Sequence, residues 1–267
     1  MASSIELMEI DINDMKKLIS HLKNEHAELE KIINPLIEKY DLPKKEILEV
    51  CQTGKFIYKV DLEIRITEKP KPPNPDFIIE YNSKLIGLEH TRIFTDNADN
   101  YNRIISLIDF SEKIYVSQFP NENVHAIISI KDDDINYKQI EKREFATAIA
   151  NYVNNLSKGL DIDKPSFISN IRTSKHSKVS FSYNEKNWEG PYLTKKRLEI
   201  EIKKKEQKIA NYKKGNSELT EYWLVLLIGA LSSASYILDE NVNYETASEF
   251  DRVYLMTDFS AEIIIIK

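Results

Sequence analysis

Cysteine is almost absent from this chain of 267 residues, since Cys51 is its single thiol. One cysteine cannot form an internal disulfide bond, which makes a reducing, cytoplasmic location the simpler expectation. Glycine (6 residues) and proline (9 residues) are also scarce, and this excludes a collagen-like or linker-dominated chain. The stability of such a protein must come from a buried core, in one large or two small domains.

Secretory and membrane signals are equally lacking. The first eleven residues contain Glu6, Glu9 and Asp11 and no cationic stretch, so we expect no signal peptide. The longest uncharged run, Tyr222–Leu238, is short for a membrane span and contains three serines. The pattern favours a buried strand over Tyr222–Ile228 followed by a short helix, and no membrane partner.

Positive charge is in deficit, with 37 basic against 43 acidic residues and a net charge of −6. This excludes a uniformly basic surface but allows a local basic patch. The predicted helix Thr194–Lys214 carries nine lysines and arginines against three glutamates, and such a helix can neutralise phosphates. The candidate nucleic-acid-binding residues are Lys195, Lys196, Arg197, Lys203, Lys204 and Lys208. The alternative is a solvated surface helix that docks through Leu198, Ile202, Ile209 and Tyr212.

Apolar residues alternate at spacings of four and three near the start of the chain. They are Met15, Ile19, Leu22, His26, Leu29, Ile33, Leu36 and Tyr40. This heptad pattern predicts a long amphipathic helix over Ile10–Asn34, interrupted by Pro35. The stripe suits a homodimer seam and suits equally a helix packed on its own domain. We therefore predict a helical segment over 1–42 and one α/β domain over 43–267, with an insertion around 157–215.

Strands and helices interleave through the rest of the chain. Alternating apolar and polar residues predict a strand over Phe56–Thr67, and Val124–Ile130 reads as a second strand after a helix over Asn97–Phe119. Further strands are expected at Arg252–Thr257 and Glu262–Ile266. The fold class is therefore α/β, with α+β as the alternative, around a mixed sheet flanked by helices.

A predicted hairpin from Asp76 to Thr91 carries the candidate chemistry. A turn at Asn82-Ser83 sets Asp76 opposite Glu89 and sorts the apolar residues onto one face. Like charges directly opposed across a sheet are destabilising, so two such carboxylates favour a bound cation. Carboxylate oxygens suit Mg²⁺ or Mn²⁺, and Gly87 on the same face leaves room for a substrate backbone.

This arrangement resembles the PD-(D/E)XK nuclease superfamily, which has the restriction-endonuclease-like fold. Pro75-Asp76 corresponds to the PD of that motif, and the strand Leu85–Thr91 corresponds to the apolar strand with (D/E)xK. The resemblance covers roughly Pro43–Lys131, including the order helix, strand, hairpin, helix, strand. It implies that Asp76 and Glu89 are the metal ligands and that a lysine helps to activate water.

The sequence departs from the family at this lysine, because Thr91 occupies its position. Threonine can hydrogen-bond a water molecule but brings no positive charge. Arg65, on the polar face of the preceding predicted strand, is the nearer candidate to replace the lysine. Glu46 and Glu49 are candidates for an additional acid from the first helix of the family core.

The resemblance implies a Mg²⁺-dependent endonuclease that hydrolyses DNA, in a defence role, with Asp76, Glu89, Thr91 and Arg65 at its catalytic site. The second interpretation is an inactive protein of the same fold that binds nucleic acid or a protein partner. The third is a helical interaction protein whose hairpin face is only surface.

Overall fold

The computed structural model describes residues 12–60, 62–160, 162–186, 189–229 and 232–267. These residues form two compact units. The first comprises the chain up to Arg92 together with Lys195–Leu227 and Val242–Lys267, and the second comprises Ile93–Thr194 with Ile228–Asn241. This division differs from the predicted one, which separated 1–42 and kept 43–267 as one domain.

The first unit is built on a six-stranded mixed sheet, which agrees with the predicted α/β class. Its helices are α1 (Ile12–Lys39), α2 (Lys44–Lys59), α5 (Lys195–Glu206) and α6 (Ile209–Gly215). Its strands are β1 (Ile64–Glu68), β2 (Phe77–Tyr81), β3 (Lys84–Arg92), β7 (Glu221–Ile228), β8 (Arg252–Thr257) and β9 (Ile263–Ile265). The strand order is β1-β2-β3-β7-β8-β9. Strand β2 is antiparallel to both β1 and β3, and β3 is parallel to β7.

The second unit has its own three-stranded sheet. Its elements are α3 (Ala98–Gln118), β4 (Val124–Ile130), α4 (Lys142–Ser157), β5 (Ile168–Lys175) and β6 (Ser180–Tyr183). Strand β4 lies in the middle, antiparallel to β5 and parallel to β6. Alternate residues of β4 are buried in one apolar core with α3 and α4. The predicted strand Val124–Ile130 is confirmed, but it does not belong to the sheet that contains the hairpin.

The long N-terminal helix continues past Pro35, so the prediction that this proline ends it is wrong. Leu36 is buried in a cluster with Ile33 and Phe56, and this packing keeps the helix intact across the lost hydrogen bond. Further towards its start, Ile19 and Leu22 are 46% and 52% exposed. Residues 10 and 11 of the predicted helix lie outside the described residues, and the dimer remains a prediction.

The predicted strand Phe56–Thr67 is wrong over its first part, because α2 extends to Lys59 and β1 begins at Ile64. Phe56 and its neighbour Ile57 are both buried. A strand with one solvent face would expose one of two successive residues, whereas a helix can bury both. The ring of Phe56 packs against the ring of Tyr254 on β8, with the two centroids 5.0 Å apart.

The predicted helix Thr194–Lys214 is divided in two, because α5 ends at Glu206 and α6 begins at Ile209. After Ile228, the described residues 232–238 form turns and bridges in place of the predicted short helix.

None of the helices formed by the described residues combines the length and the apolar character of a membrane span.

Candidate active site

The two predicted carboxylates lie together at the start of the β2–β3 hairpin. The strands pair in the predicted register up to Phe77 opposite Leu88, and one further step along this register sets Asp76 opposite Glu89. The backbone N–H of His90 donates a hydrogen bond to Asp76 Oδ2 at 2.9 Å. The register therefore places both acids on the polar face of the hairpin.

Glu89 is almost fully buried, at 1% exposure, and three side chains from the basic helices bind it. Lys205 Nζ and Lys208 Nζ donate to Glu89 Oε1 at 2.9 and 2.7 Å. The hydroxyl of Tyr212 donates to Oε2 at 2.6 Å. Tyr212 in turn stacks on Tyr222 of β7, with ring centroids 6.1 Å apart, so these contacts tie α5 and α6 to the sheet.

The electrostatics of the two acids differ. Burial, and then the charge of Glu89, raises the pKa of Asp76 to about 6. Burial also acts to raise the pKa of Glu89, but Lys205, Lys208 and Tyr212 more than offset this and hold that pKa below its usual value. Glu89 is therefore a firmly ionised carboxylate, and Asp76 ionises near neutral pH.

Arg65 does not reach these acids. Its exposed guanidinium forms an ion pair with Glu80, its register partner on β2. Thr91 lies two residues after Glu89 on the same face of β3 and is half-buried. The positive charge beside the acids is thus supplied by Lys205 and Lys208 and not by the predicted Arg65.

His90 lies on the opposite face of β3, as the register predicts, and is buried at 7% exposure. Burial, together with Lys205 and Arg92, lowers the pKa of its imidazole to about 4. We infer a neutral ring at physiological pH that belongs to the core side of the sheet.

Gly87 has a different role from the predicted one. A Cβ at this position would lie 2.8 Å from Pro75 Cγ and 3.0 Å from the ring of Tyr222, so protein atoms already occupy the space beside it. Glycine is required here for the packing of the residue before Asp76 against β7.

Substituting Gly87→Ala is therefore expected to destabilise the protein by about 1–3 kcal/mol, because Pro75 or the Tyr222 ring must move. Urea unfolding measures this change. Gly215→Ala is the matched control, since a Cβ there meets only Asn74 Oδ1, at an ordinary 3.6 Å. Equal midpoints for both variants would contradict the packing role.

A groove with a volume of about 1020 Å³ opens beside Asp76. The proline-rich loop before β2 and the start of α2 line it, and they bring Glu46 and Glu49 to its wall. Both glutamates lie 3.5 Å from Lys69 Nζ. The two candidates for an additional acid thus line the same groove as Asp76 and share one lysine, which offsets half of their charge.

The lysines and arginine of the basic segment 195–208 fall into two groups, those that pair with a glutamate and those that are exposed without such a pair among the described residues. Leu198, Ile202, Ile209 and Tyr212 are buried, which confirms the predicted docking face. Arg197 and Lys204 form ion pairs with Glu201, and Lys205 and Lys208 bind Glu89. The remaining predicted phosphate-binding residues are exposed on α5 and are Lys195, Lys196 and Lys203.

Sequence reasoning missed that Lys205, Lys208 and Tyr212 belong to the candidate site. The helical pattern marked Tyr212 as a docking residue and Lys208 as a phosphate ligand, but the contact with Glu89 spans more than a hundred residues. The available signal was charge, because a buried glutamate needs cations and the strongest basic run of the chain lies in this helix.

No cluster of three or more histidine, cysteine or acidic side chains suited to a metal ion occurs in the part of the chain that the structure describes. Comparison of the chain with protein-family models, with curated proteins and with solved structures finds no match.

Proposed function

We propose that this protein is a metal-dependent nuclease that hydrolyses phosphodiester bonds of DNA, with Asp76 and Glu89 as the ligands of Mg²⁺ or Mn²⁺. The observation that carries the proposal is the pairing of these two carboxylates across the hairpin, with two lysine ammonium groups within hydrogen-bond distance of Glu89. Paired carboxylates with adjacent lysines are the groups that metal-assisted phosphoryl chemistry uses.

The donor chemistry suits a divalent ion. Mg²⁺ in proteins is commonly held by one or two carboxylates, with water and substrate phosphate as its other ligands. Asp76 Oδ1 accepts no hydrogen bond from the described residues, and Asp76 lines the open groove. Glu89 would release at least one lysine to contact an ion. The charges of Asp76, Glu89 and the two lysines sum to about zero, so a divalent ion held there would present a net positive charge to a phosphodiester.

The bound ion would lower the pKa of a water molecule and offset charge on the phosphate. The side chains of the protein do the rest. Tyr212 donates to Glu89 Oε2 and fixes the orientation of this carboxylate. Lys205 and Lys208 supply the positive charge that Thr91 lacks, and either ammonium released from Glu89 can donate to a phosphate oxygen or hold the attacking water.

The order of elements supports a restriction-endonuclease-like fold. The predicted order was helix, strand, hairpin, helix and strand. In the first unit this order is kept by α2, β1, β2–β3, α5/α6 and β7, and the chain from Ile93 to Thr194 is an insertion between the hairpin and α5. In this proposal the second helix and strand are α5/α6 and β7 in place of α3 and β4.

A second candidate function is a catalytically inactive member of the same fold that binds nucleic acid. The observation that favours it is the hydrogen bonding of Glu89, whose two oxygens already accept three hydrogen bonds, close to the about four that a carboxylate can accept. If these contacts are permanent, Glu89 has a structural role, and the exposed lysines of α5 carry the binding.

The two candidates are separated by cleavage of plasmid and single-stranded DNA in Mg²⁺ or Mn²⁺. For the nuclease, Lys208→Met and Lys205→Met are each expected to lower the cleavage rate by about 10²- to 10⁴-fold, as for the loss of a proton-transfer or charge-stabilising group. Mn²⁺ affinity, measured by titration calorimetry, should stay equal or rise because a competitor for Glu89 is gone.

Lys84→Met is the matched control, because Lys84 is the lysine of the same hairpin that pairs with Glu221 at 2.9 Å, away from the acids. It should cleave like the parent. A parent protein that binds no Mn²⁺ and cleaves no substrate would overturn the nuclease and leave the second candidate.

A further inference from the structure

The three-stranded sheet of the second unit has one face packed and one face open. Val124, Ala126, Ile128 and Ile130 of β4 are buried against α3 and α4. The residues between them, His125, Ile127 and Ser129, point to the other side of the sheet and are only half-buried.

The open face is polar and cationic. His125 lies beside Ser174 and Ser180 in one row across the sheet, and Ile127 lies beside Arg172 and Ser182 in the next. From Ile168 to Tyr183 the chain carries Arg172, Lys175 and Lys178 and no acidic residue, in a protein with a net charge of −6. This stretch is therefore a local reversal of the overall charge.

The three cations have no acidic partner among the described residues. Arg172 is exposed near the middle of the face, and Lys178 lies in the chain between β5 and β6 at the end of the sheet. Lys175 is also exposed at this end, but it pairs with Val124 and leaves β5 on the packed side, so it meets the open face only around the end of the strand. By contrast, Lys59, Lys69 and Lys84 in the first unit all form ion pairs. Exposed cations beside hydroxyl groups are typical of a surface for phosphate oxygens.

We infer that this face, defined by His125, Ile127, Arg172, Ser174, Ser180 and Ser182 with Lys175 and Lys178 at its end, binds single-stranded nucleic acid. Three strands at about 4.8 Å spacing give a face about 10 Å wide, which matches one polynucleotide strand. The imidazole of His125 lies 5.8 Å from that of His176, so two aromatic rings and Ile127 are available to bases while the cations meet the backbone.

The choice of nucleic acid as the partner rests on the proposed function. The residues of this face differ from those of the proposed catalytic site, and their binding is tested without metal. In EDTA, binding of a fluorescein-labelled oligodeoxythymidine of about 20 nucleotides is followed by anisotropy at several salt concentrations. We expect the full-length variant Arg172→Gln/Lys175→Gln/Lys178→Gln to bind at least about tenfold more weakly. The slope of log affinity against log salt should fall in magnitude by about 2, or about 0.7 for each lost phosphate contact.

The matched control removes three exposed lysines of the same unit outside the sheet, as Lys113→Gln/Lys138→Gln/Lys158→Gln. It should bind like the parent, and circular dichroism checks that both variants fold. Equal affinity and salt slope for the two triple variants would overturn the inference, as would tighter binding of a duplex than of the single strand. If the sheet variant loses binding while the parent never cleaves DNA, the inference holds and the proposed nuclease fails. If the parent cleaves DNA and the sheet variant binds the oligonucleotide as tightly as the parent does, the proposed nuclease holds and this inference fails.

Discussion

Asp76→Asn is expected to abolish cleavage while making the protein more stable at neutral pH. The amide keeps the shape of the side chain and can still accept the hydrogen bond from the His90 backbone. It removes one of the two carboxylates that we propose as metal ligands, so activity should fall by about a thousandfold or more and Mn²⁺ binding should disappear. It also removes the repulsion between Asp76 and the buried Glu89.

The gain in stability should depend on pH. Because burial and Glu89 raise the pKa of Asp76 to about 6 in the folded protein, ionising it costs folding free energy. Its protonated form stabilises the fold below the unfolded pKa of about 4, and this contribution is lost as the pH rises through about 6. Asp76→Asn should therefore match the parent near pH 4 and exceed it by about 3 kcal/mol above pH 7.

Thermal or urea unfolding at several pH values measures this difference. Asp41→Asn is the matched control, because it removes an exposed acid from the same groove and should change neither stability nor cleavage by much. A variant Asp76→Asn that is less stable than the parent at pH 7 would show that the ionised Asp76 is held by favourable contacts. Retained cleavage would remove Asp76 from the metal site.

The local pattern of the sequence was enough to predict the hairpin and its register. Alternation in β2 and β3 sorts Ile79 and Ile86 onto the buried face, and a slip by one residue would place them in solvent. The same logic placed Asp76 opposite Glu89. Strands β4, β7 and β8 were predictable for a similar reason, since each is a short, mostly apolar run that is largely buried in the structure.

The rest of the site depends on contacts that no local pattern encodes. Lys205 of α5 and Lys208, which immediately precedes α6, reach Glu89 from more than a hundred residues away, and only the need to neutralise a buried carboxylate links them. The residues Phe56–Lys59 alternate like a strand but form a helix, because both Phe56 and Ile57 are buried between neighbouring elements. The sequence predicts Arg65 at the site, but in the structure Arg65 forms an ion pair with Glu80 instead.

Glu89→Gln is expected to be among the most destabilising single changes in the first unit. The amide leaves the ammonium groups of Lys205 and Lys208 without a charge partner at a site where Glu89 is only 1% exposed. Removing one member of a buried ion pair costs about 3 kcal/mol or more, because the remaining charge is poorly solvated. Here this applies to Lys205, which is 20% exposed, whereas Lys208 is 47% exposed and can be hydrated. Urea unfolding at pH 7 measures this loss.

A compensating variant distinguishes the loss of this network from a general intolerance of the position. The quadruple variant Glu89→Leu/Lys205→Met/Lys208→Met/Tyr212→Phe replaces all four polar groups with apolar ones of similar volume, and it should recover at least half of the lost stability. Glu80→Gln on β2 is the control, since its ion pair with Arg65 is exposed and should be worth less than about 1 kcal/mol. If Glu89→Gln proves as mild as Glu80→Gln, the lysines contribute little to folding. They would then be held at Glu89 only loosely and be free to meet a substrate phosphate, which strengthens the catalytic assignment of Lys205 and Lys208 at the expense of the structural one.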